Sequence, residues 1–355
     1  FPAQAGAPAV AAALPAHVAA QPLPCVITFG LFVAAFQVGD DPLKRLLVPD
    51  HLPPHVHPDW DDLITRPFQQ DPAKRLRQLL VRGVQVDVKM LGNGMCNVNL
   101  VYKEEYGSTT LDVLSFMTIV NDKGVKPLLE IDPRLAGFNP FNVVIYKHQD
   151  KDETVISHLT AEVIIEILGI TDQKVITEYT KQMEELDALI AKTFPSAEVS
   201  HGTYEGAVEN GMLHYEIDFE RPEDLDDYID EVQEKVDDTF TEKGFIMAGF
   251  FDYKMGKPDL LPSYDAFWTF SLCHFPFSYS VFDNEGAMPE VGVFAPCTMY
   301  MYIKKDSNTL VIGMPKLSNW NRFFTMNNKK REDFLNKLNT EIPATFLEIG
   351  AKEIK

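Results

Sequence analysis

Cysteine, basic charge and long apolar runs are all scarce in this chain of 355 residues. Four cysteines are too few for a disulfide scaffold. No stretch reaches the ~20 apolar residues of a membrane span, and the closest, 26–38, is interpreted as a buried segment. The formal charge is −20, from 32 basic and 52 acidic residues. Because such a charge repels a phosphate backbone, it argues against nucleic-acid binding, and it also disfavours an anionic membrane surface.

Sequence patterns of established enzymes are absent too. The chain has no phosphate-binding glycine loop, no Gly-x-Gly-x-x-Gly after a strand, no His-Glu-x-x-His and no Gly-x-Ser-x-Gly. Acidic residues are abundant, but their spacing does not separate a catalytic carboxylate from a solvated one. The sequence therefore favours a protein without catalytic activity and names no catalytic residue.

An internal repeat is the most informative feature present. Residues 133–140, Pro-Arg-Leu-Ala-Gly-Phe-Asn-Pro, return as Pro-Glu-Val-Gly-Val-Phe-Ala-Pro at 289–296, an offset of 156. The same offset matches Ser115 with Ser271, Phe138 with Phe294, Pro140 with Pro296 and Tyr146 with Tyr302. The chain is predicted to contain two copies of one domain. We place them at 61–196 and 197–355, after an Ala/Pro-rich arm and irregular lead-in over 1–60.

Local patterns predict an α+β fold in which each domain has a mostly antiparallel sheet covered by helices on one face. Apolar residues at helical spacing predict a helix over 225–240, whose acidic opposite face is interpreted as solvated. A buried strand is predicted at 245–251. Other predicted strands are 114–120, 142–147 and 154–158, then 269–281, 298–304 and 309–313, and other predicted helices are 161–168 and 174–193.

The run from Gly292 to Tyr302, with Ser271-Leu272-Cys273 upstream and an echo at 137–146, resembles a bacterial family known as domain of unknown function 302. The resemblance extends from about residue 110 to about residue 335. It implies an α+β fold, tandem domains and a periplasmic or otherwise exported protein. It implies no reaction and no catalytic residues.

Cys273 and Cys297 lie on or beside two predicted strands, where we expect both to face the core as buried thiols or a structural disulfide. The functional alternative is a redox or soft-metal site, in which Cys273, Cys297 and Met299 bind Zn or Cu with His274 and Met301 nearby. Strand alternation places Met299 on the face of Cys297 but turns His274 away from Cys273.

The densest group of other potential ligands is His51, His55 and His57, close to Asp50 and Asp59. Imidazoles two and four residues apart on a proline-bent loop could converge on Zn or Cu. The alternative is an ordinary surface connection, because prolines prevent a regular helix there.

The function predicted from these features is a non-enzymatic binding or interaction module. A sheet surface, or the groove between the two copies, would receive a ligand or another protein. The arm would wrap a partner or a second subunit, covering its apolar residues Ile27, Phe29, Leu31, Phe32 and Phe36. The alternative is a redox or metal-handling protein that uses Cys273 and Cys297 or the histidine group.

Overall fold

The computed structural model describes residues 98–354 except 203–205, 207, 208, 256, 257, 285 and 327, together with the backbone of 26–29 and 89–90. The predictions for the burial of the arm and for His51, His55 and His57 lie outside the described residues.

Two six-stranded sheets organise the molecule. The first contains, in spatial order, β2 (Lys89–Met90), β3 (Leu111–Val120), β4 (Phe141–His148), β5 (Val155–His158), β1 (Val26–Phe29) and β6 (Val199–Ser200). The second contains β8 (Phe245–Asp252), β9 (Tyr264–His274), β10 (Cys297–Lys304), β11 (Thr309–Pro315), β7 (Met212–Asp218) and β12 (Lys352–Glu353). All pairings are antiparallel except those of β1, which runs parallel to β5 and β6. The predicted α+β class is confirmed.

Helices connect and cover these sheets. They are α1 (Val98–Tyr106), α2 (Asp122–Leu129), α3 (Ala161–Leu168), α4 (Gln173–Thr193), α5 (Leu225–Glu242), α6 (Phe275–Phe282), α7 (Trp320–Phe323) and α8 (Lys329–Glu348). Short 3-10 helices lie at Pro133–Phe138, Pro258–Leu260, Pro289–Phe294 and Leu317–Asn319. None of the described helices is both long and apolar enough to cross a membrane.

Capping residues fix where several helices begin and end. The side chains of Thr160 and Asp172 accept backbone hydrogen bonds at the start of α3 and α4, and Gly169 ends α3 in the left-handed region at φ +62°. The helix predicted over 225–240 begins at Leu225 and ends at Glu242. Its N-cap is Asp224, whose carboxylate accepts a hydrogen bond from the first turn.

The strand predicted over 269–281 is too long. It ends at His274, and α6 follows directly. His274 Nδ1 accepts a hydrogen bond from the Phe277 backbone N–H at 3.3 Å, which caps the helix. Pro276 lies in the first turn, where its missing N–H is tolerated, whereas a sheet ladder would have lost a donor there.

The repeated sequence forms the same local structure twice. Each copy is a 3-10 helix followed by a cis X-Pro peptide, Asn139–Pro140 or Ala295–Pro296. The prolines lead into β4 and β10. Phe294 is buried, whereas Phe138 is only partly buried.

Upstream of these 3-10 helices the offset is 153 and not 156. Ser115 on β3 pairs with Ile145, and the residue in the matching place on β9 is Trp268, which pairs with Met301. The predicted match of Ser115 with Ser271 is therefore wrong by three residues. The difference arises because the segment between α6 and its 3-10 helix is three residues longer than the one after α2.

The two halves pack against each other reciprocally. The 3-10 helix at 133–138 lies on β10 and β11, and the one at 289–294 lies on β4 and β5. The approach is close, since a Cβ atom added to Gly292 would stand 2.9 Å from Val144 Cγ2. Each half thus completes the core of the other.

Candidate functional site

Cys273 and Cys297 lie on the neighbouring strands β9 and β10. Cys297 stands opposite Leu272, so these two side chains share one face of the sheet. Cys273, the next residue, points to the other face, where its thiol donates to Ser278 Oγ at 3.5 Å. Both cysteines are free. This register supports neither a disulfide between them nor a metal site that they share.

Burial also lowers the reactivity of both thiols. It raises the pKa of Cys273 above its ordinary value. Burial, together with repulsion from Cys273, raises the pKa of Cys297 to about 12. Because the thiolate is the form that attacks electrophiles, the raised pKa values favour the less reactive thiol form of both groups near neutral pH. Met299 shares the face of Cys297 and is fully buried, which is typical of a core residue.

His274, which lies near the candidate soft-metal site, has a structural role. Its ring caps α6 and packs edge-on against Phe245 and Phe334, with centroids 5.0 and 5.1 Å away. Burial lowers its pKa, which favours the neutral ring that the cap requires. Asn121 occupies the matching position before α2 and caps that helix in the same way.

Within the described ranges, no group of three or more His, Cys, Asp or Glu side chains is arranged to hold a metal ion. The metal hypothesis for His51, His55 and His57 concerns residues outside those ranges. It stays a prediction.

The space between the two halves is nearly filled. A cavity of about 20 Å³ remains there, and its walls include Phe138 with Phe294 and Phe141 with Cys297, pairs related by the repeat offset. A void of this size holds about one water molecule. Among the described residues, the contact between the halves, one of the two binding surfaces predicted from sequence, offers little space for a ligand at this cavity.

The same contact satisfies its buried polar groups. Asp283 is fully buried, and its carboxylate accepts hydrogen bonds from the Thr109 hydroxyl at 2.6 Å and from the Thr110 and Leu111 backbone N–H groups at 2.7 and 3.0 Å. Burial raises the pKa of Asp283, although these hydrogen bonds act in the opposite direction. The contact is a closed, hydrogen-bonded interface.

An open groove of about 550 Å³ lies between α5 and β8, on the helix-covered face of the second sheet. Its lining residues are Asp230, Gln233, Glu234 and Asp237 from α5, Met247, Gly249 and Phe250 from β8, and Phe270 from β9. The groove is shallow and opens widely to solvent, so it is a surface feature and not an enclosed cavity. The second predicted binding surface, the face of a sheet, is therefore the one with space for a ligand.

The floor of the groove is apolar. Phe250 stands opposite Phe270, and an irregularity in pairing after Met247 sets it on the helix side. At one end of the strand, Phe240 of α5 covers Phe245 with ring centroids 5.4 Å apart. Further along, Phe250 stays 50% exposed. The ring of Phe250 therefore forms an exposed apolar part of the groove floor.

The wall of the groove is acidic. Asp230, Glu234 and Asp237 are exposed on the side of α5 that faces β8. None of them forms an ion pair with another described residue. Lys235, their neighbour on the helix, donates instead to the Ile349 carbonyl at 2.9 Å. Three carboxylates thus stand uncompensated beside an aromatic floor.

Residue patterns do not predict this groove, since they indicate a solvated acidic face over 225–240 and a buried strand at 245–251. A signal was available, since Gly249-Phe250-Phe251 interrupts regular alternation beside a glycine, a combination typical of a bulge.

Comparisons with known proteins give a single coarse similarity to report. No family model and no curated protein matches the chain. The chain is similar to the crystal structure of an uncharacterized conserved protein DUF302 from Bacillus stearothermophilus. The two are 19% identical over 37% of this chain and 94% of that chain, with a TM-score of 0.29. No ligand and no reaction is carried over from it.

Proposed function

We propose that this protein is a non-enzymatic binding module that holds a segment of another protein in the groove between α5 and β8. The observation that carries the proposal is the half-exposed ring of Phe250 beside three uncompensated carboxylates. Covering an aromatic floor with apolar surface lowers the free energy of the complex, and an acidic wall attracts cations. The ligand chemistry that satisfies both is apolar and basic together.

Lysine and arginine side chains match this surface well. Their aliphatic stems cover apolar surface while their charged ends reach carboxylates. A segment that alternates basic and apolar residues would place stems over Phe250 and charges beside Asp230, Glu234 and Asp237. The net charge of −20 adds long-range attraction for such a partner.

We also propose that 61–196 and 197–355 are two copies of one domain. The support is that β2-β3-β4-β5 and β8-β9-β10-β11 occupy their sheets in the same order. The fifth positions differ, because β1 is parallel to its neighbours and β7 is antiparallel. An exported location and association with a second subunit stay predictions. The metal and redox alternative gains no support from the geometry of Cys273 and Cys297.

Fluorescence anisotropy with a designed peptide tests the groove. The probe is a labelled peptide of eight residues, the length of β8, alternating lysine and leucine. The test variant is Asp230→Asn/Glu234→Gln/Asp237→Asn, which removes the acidic wall. The matched control, Asp227→Asn/Glu231→Gln/Asp238→Asn, removes the same charge from parts of α5 that do not line the groove.

We expect the wall variant to weaken binding about tenfold, or about 1.4 kcal/mol, and the control variant to change it by less than about threefold. Attraction that is only a long-range effect of net charge would weaken equally in both variants, which would contradict the proposal. Failure of the peptide to bind the unaltered protein would contradict it as well.

A further inference from the structure

We infer that the partner segment binds as an added β-strand along the outer edge of β8. This inference rests on the proposed function, because it specifies how the groove between α5 and β8 holds its ligand. Pairing with an exposed strand edge supplies main-chain hydrogen bonds, and alternate side chains then meet the two faces of the sheet.

The position of β8 provides the first support. It is the terminal strand of the second sheet and pairs with β9 on one side only. No described residue pairs with its other edge. Half of its backbone N–H and C=O groups therefore point outward without a partner strand in this part of the chain.

The other sheet edges show how unusual β8 is. The terminal strands β6 and β12 are each two residues long, whereas β8 has eight. The strand β12 consists of Lys352 and Glu353, both exposed, and short charged strands are how proteins protect edges from pairing. The strand β8 contains no proline, and its one charged residue is Asp252 at its end. Its edge protection is limited to that residue and to the pairing irregularity after Met247.

The side chains of β8 offer apolar contacts on both faces of the strand. Phe250 is 50% exposed on the side of α5, and Ile246 is 46% exposed on the opposite side. An added strand would cover both. Its residues that face α5 would carry positive charge beside Asp230, Glu234 and Asp237, and its residues on the side of Ile246 would be apolar.

Charge decides against a second copy of this chain as the occupant. If two β8 strands paired antiparallel across a twofold axis, both α5 helices would lie on the same face of the joined sheet. Each α5 carries Asp226, Asp227, Asp230, Glu231, Glu234, Asp237, Asp238 and Glu242. Like charges would then face each other, which is destabilising. A basic extended peptide removes this repulsion.

Backbone N-methylation of the probe peptide separates strand addition from simple groove binding. In an added strand, alternate residues direct their N–H groups toward β8. Two peptides of identical sequence are therefore compared, one methylated at the odd positions and one at the even positions. We expect one to lose at least about tenfold in affinity, since several hydrogen bonds are removed, and the other to stay within about threefold of the parent peptide.

The outcomes distinguish the two proposals. If both methylated peptides bind like the parent and the wall variant still weakens binding, the groove is real but strand addition is wrong. If the parent peptide does not bind, or the wall variant binds it unchanged, the proposed function fails and strand addition fails with it.

Hydrogen exchange gives an independent readout on the full chain. Strand addition should slow amide exchange within Phe245–Asp252 while leaving Lys352–Glu353 unchanged. Binding with no slowing in β8 would overturn the inference. A stable dimer in sedimentation experiments that the peptide dissociates would also overturn it, because the occupant of β8 would then be a second copy.

Discussion

The second half of the molecule has two surfaces that differ in how their carboxylates are partnered. At the contact with the first half, Asp283 is fully buried and accepts hydrogen bonds from residues 109–111, and the remaining cavity measures about 20 Å³. At the groove beside α5, three carboxylates have no ion-pair partner among the described residues, and the volume is about 550 Å³. Buried polar groups are almost always hydrogen-bonded, whereas exposed carboxylates are satisfied by water. The contrast is therefore between a closed contact and an open surface, and the open surface is the one that the proposed function would use.

The largest expected effect comes from a substitution at the contact between the two halves. Phe294 is buried, and its ring packs against Trp320, Phe323 and Phe324 with centroids 5.8, 5.1 and 6.2 Å away. Phe294→Ala should lower the free energy of unfolding by about 3–5 kcal/mol, because it leaves a cavity in a packed core. Urea denaturation measures this. Phe138→Ala is the matched substitution in the other half and should cost less, since Phe138 is only partly buried.

An equal or larger loss from Phe138→Ala would show that the first half carries as much of the contact as the second. A loss below about 1 kcal/mol from Phe294→Ala would show that the contact between the halves is loosely packed.

The next substitution adds a side chain to the same contact, at Gly292. A Cβ atom on Gly292 would stand 2.9 Å from Val144 Cγ2 and 3.1 Å from a ring carbon of Phe116. Gly292→Val should therefore destabilise the fold by about 1–3 kcal/mol, the usual cost of overpacking. Thermal unfolding measures it. Gly107→Asn is a suitable control, because no neighbour lies within 4 Å of the added atom and asparagine tolerates the positive φ there. Unchanged stability of the Gly292 variant would mean that the halves can move apart.

A smaller effect depends on pH. Burial raises the pKa of Asp283 above its ordinary value of 3.8, so the folded state favours the protonated carboxyl. Its contribution to stability is present in full below pH 3.8 and is lost as pH rises through the raised pKa. Relative to Asp283→Asn, the unaltered protein should become less stable over that interval. Urea denaturation of both proteins at a series of pH values gives the difference, in which other titrating groups cancel. A difference that grows with pH would show that the hydrogen bonds outweigh burial.

Much of the fold could be predicted from residue patterns alone. The strands at 142–147, 298–304 and 309–313 and the helices at 161–168 and 174–193 are found within a few residues of their predicted limits. These predictions succeed because alternation and helical spacing are local properties of the chain. The strand predicted to continue through 275–281 is wrong, because the cap that starts α6 depends on the ring orientation of His274.

The groove could not be predicted from the sequence, because it depends on which part of β8 the helix α5 leaves uncovered. The apolar run 245–251 looks like a buried strand whether or not a helix covers all of it. Only the position of α5 shows that Phe245 is covered and Phe250 is not. In the same way, the acidic residues of α5 look alike in sequence, and only the fold separates those beside Phe250 from those in open solvent.

The smallest expected effect on stability tests the open surface. Phe250 is 50% exposed, with its ring centroid 5.4 Å from that of Phe270. Phe250→Ala should therefore cost about 1 kcal/mol or less, several times less than the same substitution at Phe294. Binding of the lysine–leucine peptide should nevertheless weaken about tenfold, since exposed aromatic residues dominate such interfaces. Leu347→Ala, at another exposed apolar residue far along the chain on α8, is the matched control and should change neither quantity. If Phe250→Ala instead destabilises the fold by as much as Phe294→Ala, its ring is part of the core, and the groove is not a surface that awaits a partner.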